Sequence, residues 1–241
     1  MNKANLSKMR RRSEAKISSY LSDFVYGGID GTVTTFAVVA GVMGASLSPA
    51  IILILGFANL FGDGFSMAVG NYLSKKSRKE FAERVRKSEE LSVHTIPEEE
   101  TEEIREILSA KGFKERQLEE AVKIITGDFD VWVDTMMKDE FGICEEYTSP
   151  AKSGAITFLS FNLIGCIPLL AYVLAFFYEP LKARTFSVAV VLTFCALFIV
   201  GSVKGRIVGK WWYYSGIETV FIGGLAAFVA YLVGYLLKGL A

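Results

Sequence analysis

Five long apolar stretches, broken by a single long charged one, constrain this chain more than any other feature of its sequence. A helix needs about 20 mostly apolar residues to cross the ~30 Å hydrocarbon core of a bilayer. Candidate spans fall at 24–47, 49–73, 154–177, 185–203 and 216–237, and the only charges inside them are Asp30, Asp63 and Glu218. The expected fold is an all-α membrane protein, with five transmembrane helices and an inserted helical cytoplasmic domain. The first stretch is not a cleaved signal peptide: it is too long, carries an acid and has no clear small-residue cleavage site. In the third span, Asn162 and Pro168 predict a polar contact and a kink.

Composition sharpens this division. Apolar residues make up 51% of the 241 and mean hydropathy is +0.36, yet 22% are charged. Residues 74–150 hold 20 of the 26 acids and 13 of the 26 bases, so the overall neutrality averages two unlike parts. With no basic excess, nucleic acid is not a partner. Three cysteines, two of them in apolar runs (Cys166, Cys195), exclude a disulfide-stapled module. The expected organisation is a cytoplasmic tail at 1–23, two spans within 24–73, an acidic helical cytoplasmic metal-binding domain at 74–150, and three spans within 151–241. Lys3, Lys8, Arg10, Arg11, Arg12 and Lys16 in the tail, with Lys204, Arg206 and Lys210 between spans four and five, outnumber the bases on the other face. That asymmetry places the N-terminus in the cytoplasm and the C-terminus outside. Trp211, Trp212, Tyr213 and Tyr214 fit an interfacial belt, as do Phe176, Phe177 and Tyr178.

Residues 74–94 contain neither proline nor glycine, so the second span is expected to continue beyond the membrane as one helix. Pro97 suits the first turn of the next helix, and Gly112 its C-terminal cap. Further helices are expected at 115–126, closed by Gly127, and at 128–141, opened by Asp128 and closed by Gly142. Ser149-Pro150 reads as the start of the third span. Ile104, Ile107, Leu108, Leu118, Val122, Ile125, Val131, Trp132 and Val133 are the predicted core, small enough that partner chains would bury part of it.

A charge within a bilayer costs about 2.5–3.5 kcal/mol on insertion scales. Asp30 and Asp63 therefore call for a role, either on a cation path or as protonated or hydrogen-bonded structural groups. Gly27, Gly28 and Gly31 around Asp30 would let another backbone approach. Asn59, Asp63 and Met67 are spaced by four and share one helix face, with Gly62, Ser66 and Gly70 making the adjacent face small. Met67 alone would more often be core. Glu100 and Glu103, three apart, point the same way and repel unless a cation or arginine relieves them; a Glu-rich helix is most often a solvated face. Met136, Met137 and Glu140 fall on nearby helix positions, and a mixed carboxylate–thioether set suits a borderline ion such as Fe(II) better than Ca(II) or Mg(II). Glu218 could line the cytoplasmic end of a path or simply start a helix. The single histidine, His94, rules out a His-based zinc or haem site and paired Glu-x-x-His elements, and no phosphate-binding glycine loop is present. The chain does not read as an enzyme.

Four segments together, YGGIDGTVTTFAVVAG, NLFGDGFSMAVGNYLS, PEEETEEIREIL and VDTMMKDEFG, resemble the vacuolar iron transporter family over nearly the whole chain. The resemblance implies a five-span homodimer that exports cytosolic Fe(II), and in some members Mn(II), in exchange for protons. It implies a membrane site from Asp30 and Met67, with both subunits contributing across the two-fold axis. It further implies cytoplasmic metal ligands Glu89, Glu100, Glu103, Met136, Met137 and Glu140. Two positions depart from the pattern: Asn59 stands where the family commonly has a membrane glutamate, and Ser92 where it commonly has a second glutamate three residues after the first.

The resulting expectation is a secondary transporter in a plasma or intracellular membrane, moving Fe(II) or Mn(II) out of the cytoplasm against protons. It would have no permanently bound cofactor, with Asn59, Asp63 and Glu218 along the path. A passive divalent-cation channel would use the same acids, and a membrane scaffold would use the acidic domain to bind partners.

Overall fold

The computed structural model describes residues 3–144 and 148–240, with backbone only for 3–12 and 15. Of the N-terminal bases, the side chains of Lys3, Lys8, Arg10, Arg11 and Arg12 lie outside the described residues. Nine α-helices account for nearly all of what is described, and no strand occurs among those residues. The chain divides into two compact units, one of Met1–Leu73 with Tyr147–Ala241 and one of Ser74–Glu146.

In the first unit, α1 (Lys3–Gly44) runs without interruption through the basic N-terminal segment and the first span. It stops three residues earlier than the sequence suggests, at a tight turn in which Ser46 takes a positive φ of 58°. α2 (Pro49–Thr95) is the long continuous helix expected where nothing in the chemistry interrupts it, and it contributes residues to both units. The third apolar stretch is divided into α6 (Pro150–Gly165) and α7 (Ile167–Phe177), bent by 46° at Cys166. Pro168, at the start of α7, lacks the N–H that would continue the ladder, which accounts for the kink. The expected polar contact of Asn162 is to its own helix, Nδ2 donating to the Phe158 carbonyl at 2.8 Å. After a 3₁₀ segment at Glu179–Arg184 come α8 (Thr185–Ile207) and α9 (Trp212–Leu237). Among the described residues four helices are long and apolar enough to cross a membrane, or five with the bent pair taken as one span.

The core of this unit gathers Phe36, Val39 and Ala40 of α1, Ile52 of α2, Leu169 and Tyr172 of α7, Ala189 of α8 and Ala227 of α9. Lipid is as apolar as these side chains, so helices associate there through close packing and small residues. Gly31 and Gly165 show this most clearly. A Cβ on Gly165 would lie 2.8 Å from the carbonyl carbon and oxygen of Gly31, and one on Gly31 would lie 2.5 Å from the carbonyl oxygen of Phe161.

The second unit is formed by the later part of α2 with α3 (Pro97–Ala110), α4 (Glu115–Thr126) and α5 (Phe129–Asp139). Gly112, at φ +98°, follows α3 in a conformation that side chains rarely adopt. Asp128 caps α5 by accepting from the Val131 N–H at 3.1 Å. Val93, Ile104, Leu108, Val122, Trp132, Val133, Met136 and Met137 form the core. Val131, expected in that core, is 43% exposed instead. The buried face of α5 is Trp132, Val133, Met136 and Met137, and Val131 falls outside this i, i+1, i+4, i+5 stripe. Arg86 ties α2 to α5, donating to Asp134 at 2.6 Å and to Glu90 at 3.0 Å.

Candidate functional site

Two groups of polar side chains stand out, one in each unit. In the second unit Glu89 comes from α2, Glu100 and Glu103 from α3, and Glu140 from the C-terminal cap of α5. Glu89 and Glu100 are 7% and 5% exposed, unusual burial for carboxylates that no arginine or lysine pairs among the described residues. Oε2 of Glu100 is buried with no hydrogen-bond partner. Burial, then the charges of Glu103, Glu89 and Glu99, push the Glu100 carboxyl up to about 7, against a smaller opposing effect from the Ser92 hydroxyl hydrogen-bonded to it. Burial, then the charges of Glu103, Glu89 and Glu100, push Glu140 to about 7, although the residue as a whole is exposed. Burial followed by the charge of Glu103 also raises Glu89. Each of the three therefore feels Glu103, so the four carboxylates form one electrostatic group drawn from three helices. Among the described residues no three His, Cys, Asp or Glu side chains approach closely enough to hold an ion between them.

Met136 and Met137 are 0% and 7% exposed in the core of the same unit. The Glu140 N–H donates to the Met136 carbonyl at 3.0 Å, which sets the carboxylate one turn from the thioethers. Both methionines pack as core residues, so any coordinating use of them would draw on sulfurs already held in place by packing.

In the first unit Asp30 is half-buried on α1, and its charge bears on that of Asp63 on α2. No donor among the described residues reaches the Asp30 carboxylate; only its backbone carbonyl is engaged, accepting from Thr34 Oγ1 at 2.9 Å. Asn59 and Met67 are half-buried and Asp63 is exposed, on the shared α2 face the spacing predicts. The Nδ2 of Asn59 is buried without an acceptor. Glu218 of α9 lies 3.5 Å from Lys204 Nζ of α8.

Two residues of this seam are not among the sequence candidates. Asn71 extends the series Asn59, Asp63, Met67 by one more step of four, and Asp23 precedes Asp30 by two helical turns. Asn71 Nδ2 donates to Asp23 Oδ1 at 3.0 Å. Continuing the α2 periodicity one turn would have found Asn71; its pairing with Asp23 could not be read from it.

Four or five apolar helices of membrane-crossing length, together with a separate acidic helical unit, define a class: integral membrane proteins. The chain belongs to the VIT family, whose model matches residues 21–235. It is 37% identical over 227 residues to the vacuolar iron transporter of Toxoplasma gondii, covering 92% of this chain and 75% of that protein. It is 34% identical to vacuolar iron transporter 1 of Arabidopsis thaliana, covering 87% of this chain and 82% of the relative. It is 32% identical to the vacuolar iron transporter of Plasmodium berghei over 91% of this chain.

Proposed function

We propose that this protein is a secondary transporter that moves Fe(II) or Mn(II) out of the cytoplasm in exchange for protons. The observation that carries the reading is the Asp30 carboxylate: it lies within an apolar span, under the influence of Asp63, with no hydrogen-bond donor on it among the described residues. Such a carboxylate is held at a cost unless something neutralises it, and a metal ion and a proton are the two candidates. Because they compete for the same oxygens, binding one releases the other, which is the physical basis of exchange.

In this reading Asp30 and Met67 hold the ion in the membrane, and Asn59 and Asp63 line its approach. Glu89, Glu100, Glu103 and Glu140, with the Met136 and Met137 thioethers, gather ions on the cytoplasmic side. Carboxyls at about 7 exchange protons for metal near neutral pH, so capture is itself proton-linked. Carboxylates alone would favour hard ions, and the thioethers shift preference toward Fe(II). Glu218, 3.5 Å from Lys204, lines the cytoplasmic end of the path.

The working unit is a homodimer. Along α2, Gly62 and Gly70 have nothing within 4 Å and Phe61 and Phe65 are 58% and 65% exposed, leaving beside Asp63 a small-residue face that a second copy can approach. The basic N-terminal segment and the α8–α9 turn lie on the cytoplasmic side. The names of the relatives favour an intracellular storage compartment as the destination. No permanent cofactor and no chemical conversion enter the cycle.

The test is Fe(II) uptake into proteoliposomes with and without a pH gradient, with Mn(II), Co(II) and Zn(II) as competitors. Gradient-driven uptake and accompanying proton movement are expected. Flux indifferent to the gradient would mean a passive channel, and no flux with tight partner binding would mean a scaffold.

A further inference from the structure

Asn71 lies one turn beyond Met67 on the α2 face that carries Asp63, and its amide nitrogen is committed to two other helices. Nδ2 donates to Asp23 Oδ1 of α1 at 3.0 Å and to Thr157 Oγ1 of α6 at 2.8 Å. A primary amide has two N–H donors, so both are used. Thr157 passes its own proton on to the Ser153 carbonyl at 3.0 Å, which fixes the hydroxyl to accept from Asn71. Thr157 and Ser153 are both 0% exposed. Around this junction the helices approach closely. A Cβ on Gly154 of α6 would lie 2.8 Å from the Ala68 carbonyl oxygen, and one on Gly27 of α1 would lie 2.8 Å from the Thr157 carbonyl oxygen.

We propose that Asn71 is a positioning residue, a polar clasp that sets the rotation and depth of α2 against α1 and α6 and so keeps Asp63 and Met67 turned toward Asp30. The inference rests on the transport reading above for its consequence, but its geometry stands alone. α1 and α2 are joined where Asn71 donates to Asp23, and further along the same helices Asp30 lies within the electrostatic reach of Asp63. Asp23 and Asp30 are about 10 Å apart along α1, and Asn71 and Asp63 about 12 Å apart along α2, so the two separations match. Two hydrogen bonds from one side chain to two different helices restrict both the rotation and the slide of α2 against them. Apolar packing in lipid does neither strongly, because a turned helix finds equally apolar surroundings. Without the clasp α2 can rotate, and a rotation of one residue, about 100°, would carry Met67 off the seam.

The test has two arms on the full-length chain. In the first, Asp30→Cys and Asp63→Cys are introduced into a background lacking the three native cysteines and joined by a short bifunctional thiol reagent, with and without Asn71→Leu. The crosslinked fraction is expected to fall several-fold in the Asn71→Leu background, and an unchanged fraction overturns the clasp whatever transport does. In the second, uptake rates are measured per folded protein in proteoliposomes. Thr157→Val and Asn71→Leu are expected to slow Fe(II) uptake about tenfold, the loss of one hydrogen bond to a charged or buried partner. Mn(II) uptake should slow less, because a misplaced thioether removes preference for the softer ion. Thr157→Ser, which keeps the hydroxyl, should stay near the parent rate. Equal losses for both ions, or a Thr157→Ser variant as slow as Thr157→Val, would make the cluster merely structural and overturn the proposal. Parent protein that crosslinks as expected but moves no Fe(II) would sink the transport reading and leave the clasp supported.

Discussion

The charge of Glu100, buried in the first turn of α3, bears on Glu140 at the C-terminal cap of α5. The two belong to helices separated by the whole of α4, and both carboxyls are held near 7 where an isolated glutamate would titrate at 4.5. Folding thus creates a pair of acids that hold protons under conditions in which the unfolded chain has lost them.

That difference fixes the sign of a pH effect. Between 4.5 and about 7 the folded state binds more protons than the unfolded state at Glu100 and Glu140. Stability of the metal-free protein from these groups therefore falls as pH rises through that window, and the loss is complete above it. Thermal unfolding followed by tryptophan fluorescence should give a lower midpoint at pH 8 than at pH 6, with Mn(II) restoring it at pH 8. A higher metal-free midpoint at pH 8 would contradict the account.

Glu100→Gln removes a buried carboxylate whose Oε2 has no partner. The variant should unfold at a higher temperature than the parent at pH 8 without metal, since the repulsion from Glu103 and Glu89 is gone. Its affinity for Mn(II), read by calorimetry, should fall at least about tenfold, the scale seen when support for a metal ligand is lost. Affinity equal to the parent's would remove Glu100 from the capture site.

Asp30→Asn keeps the shape and removes the exchangeable charge. Because no donor holds the Asp30 carboxylate, the substitution breaks no hydrogen bond and the protein should elute and melt as the parent does. Gradient-driven Fe(II) uptake should vanish. Uptake at the parent rate would place the exchange site elsewhere.

Gly165→Ala forces a methyl to within 2.8 Å of the Gly31 backbone. Backbone cannot step aside as a flexible side chain can, so the expected loss is about 1–3 kcal/mol of stability, as for overpacking elsewhere. Denaturation in detergent would measure it, and an undiminished midpoint would mean that α1 and α6 are not packed as described.

On the open face of α2, a Cβ added at Gly62 has no atom of the described residues within 4 Å, so Gly62→Leu is expected to fit the protomer. If two copies pack through this face, the variant should shift the protein from dimer to monomer in light scattering while leaving the protomer folded. A dimer of unchanged strength would place the subunit contact on another surface.

What the sequence determined by itself is everything local. Apolar run length defined the spans, the absence of proline and glycine over 74–94 carried α2 onward, and Asp128, Gly112 and Pro168 marked a cap, a stop and a kink. These follow from hydropathy and backbone chemistry within a turn or two, and the spacing of Asn59, Asp63 and Met67 is equally local. Tertiary structure alone decided which faces meet. It turned Val131 outward and the two methionines inward, brought Glu140 within the electrostatic reach of Glu100, paired Glu218 with Lys204, and set Thr157 against Asn71. Such contacts join residues far apart in the chain, and they depend on how helices rotate and slide against one another. Periodicity leaves both of those free until glycine contacts and buried hydrogen bonds remove the choice.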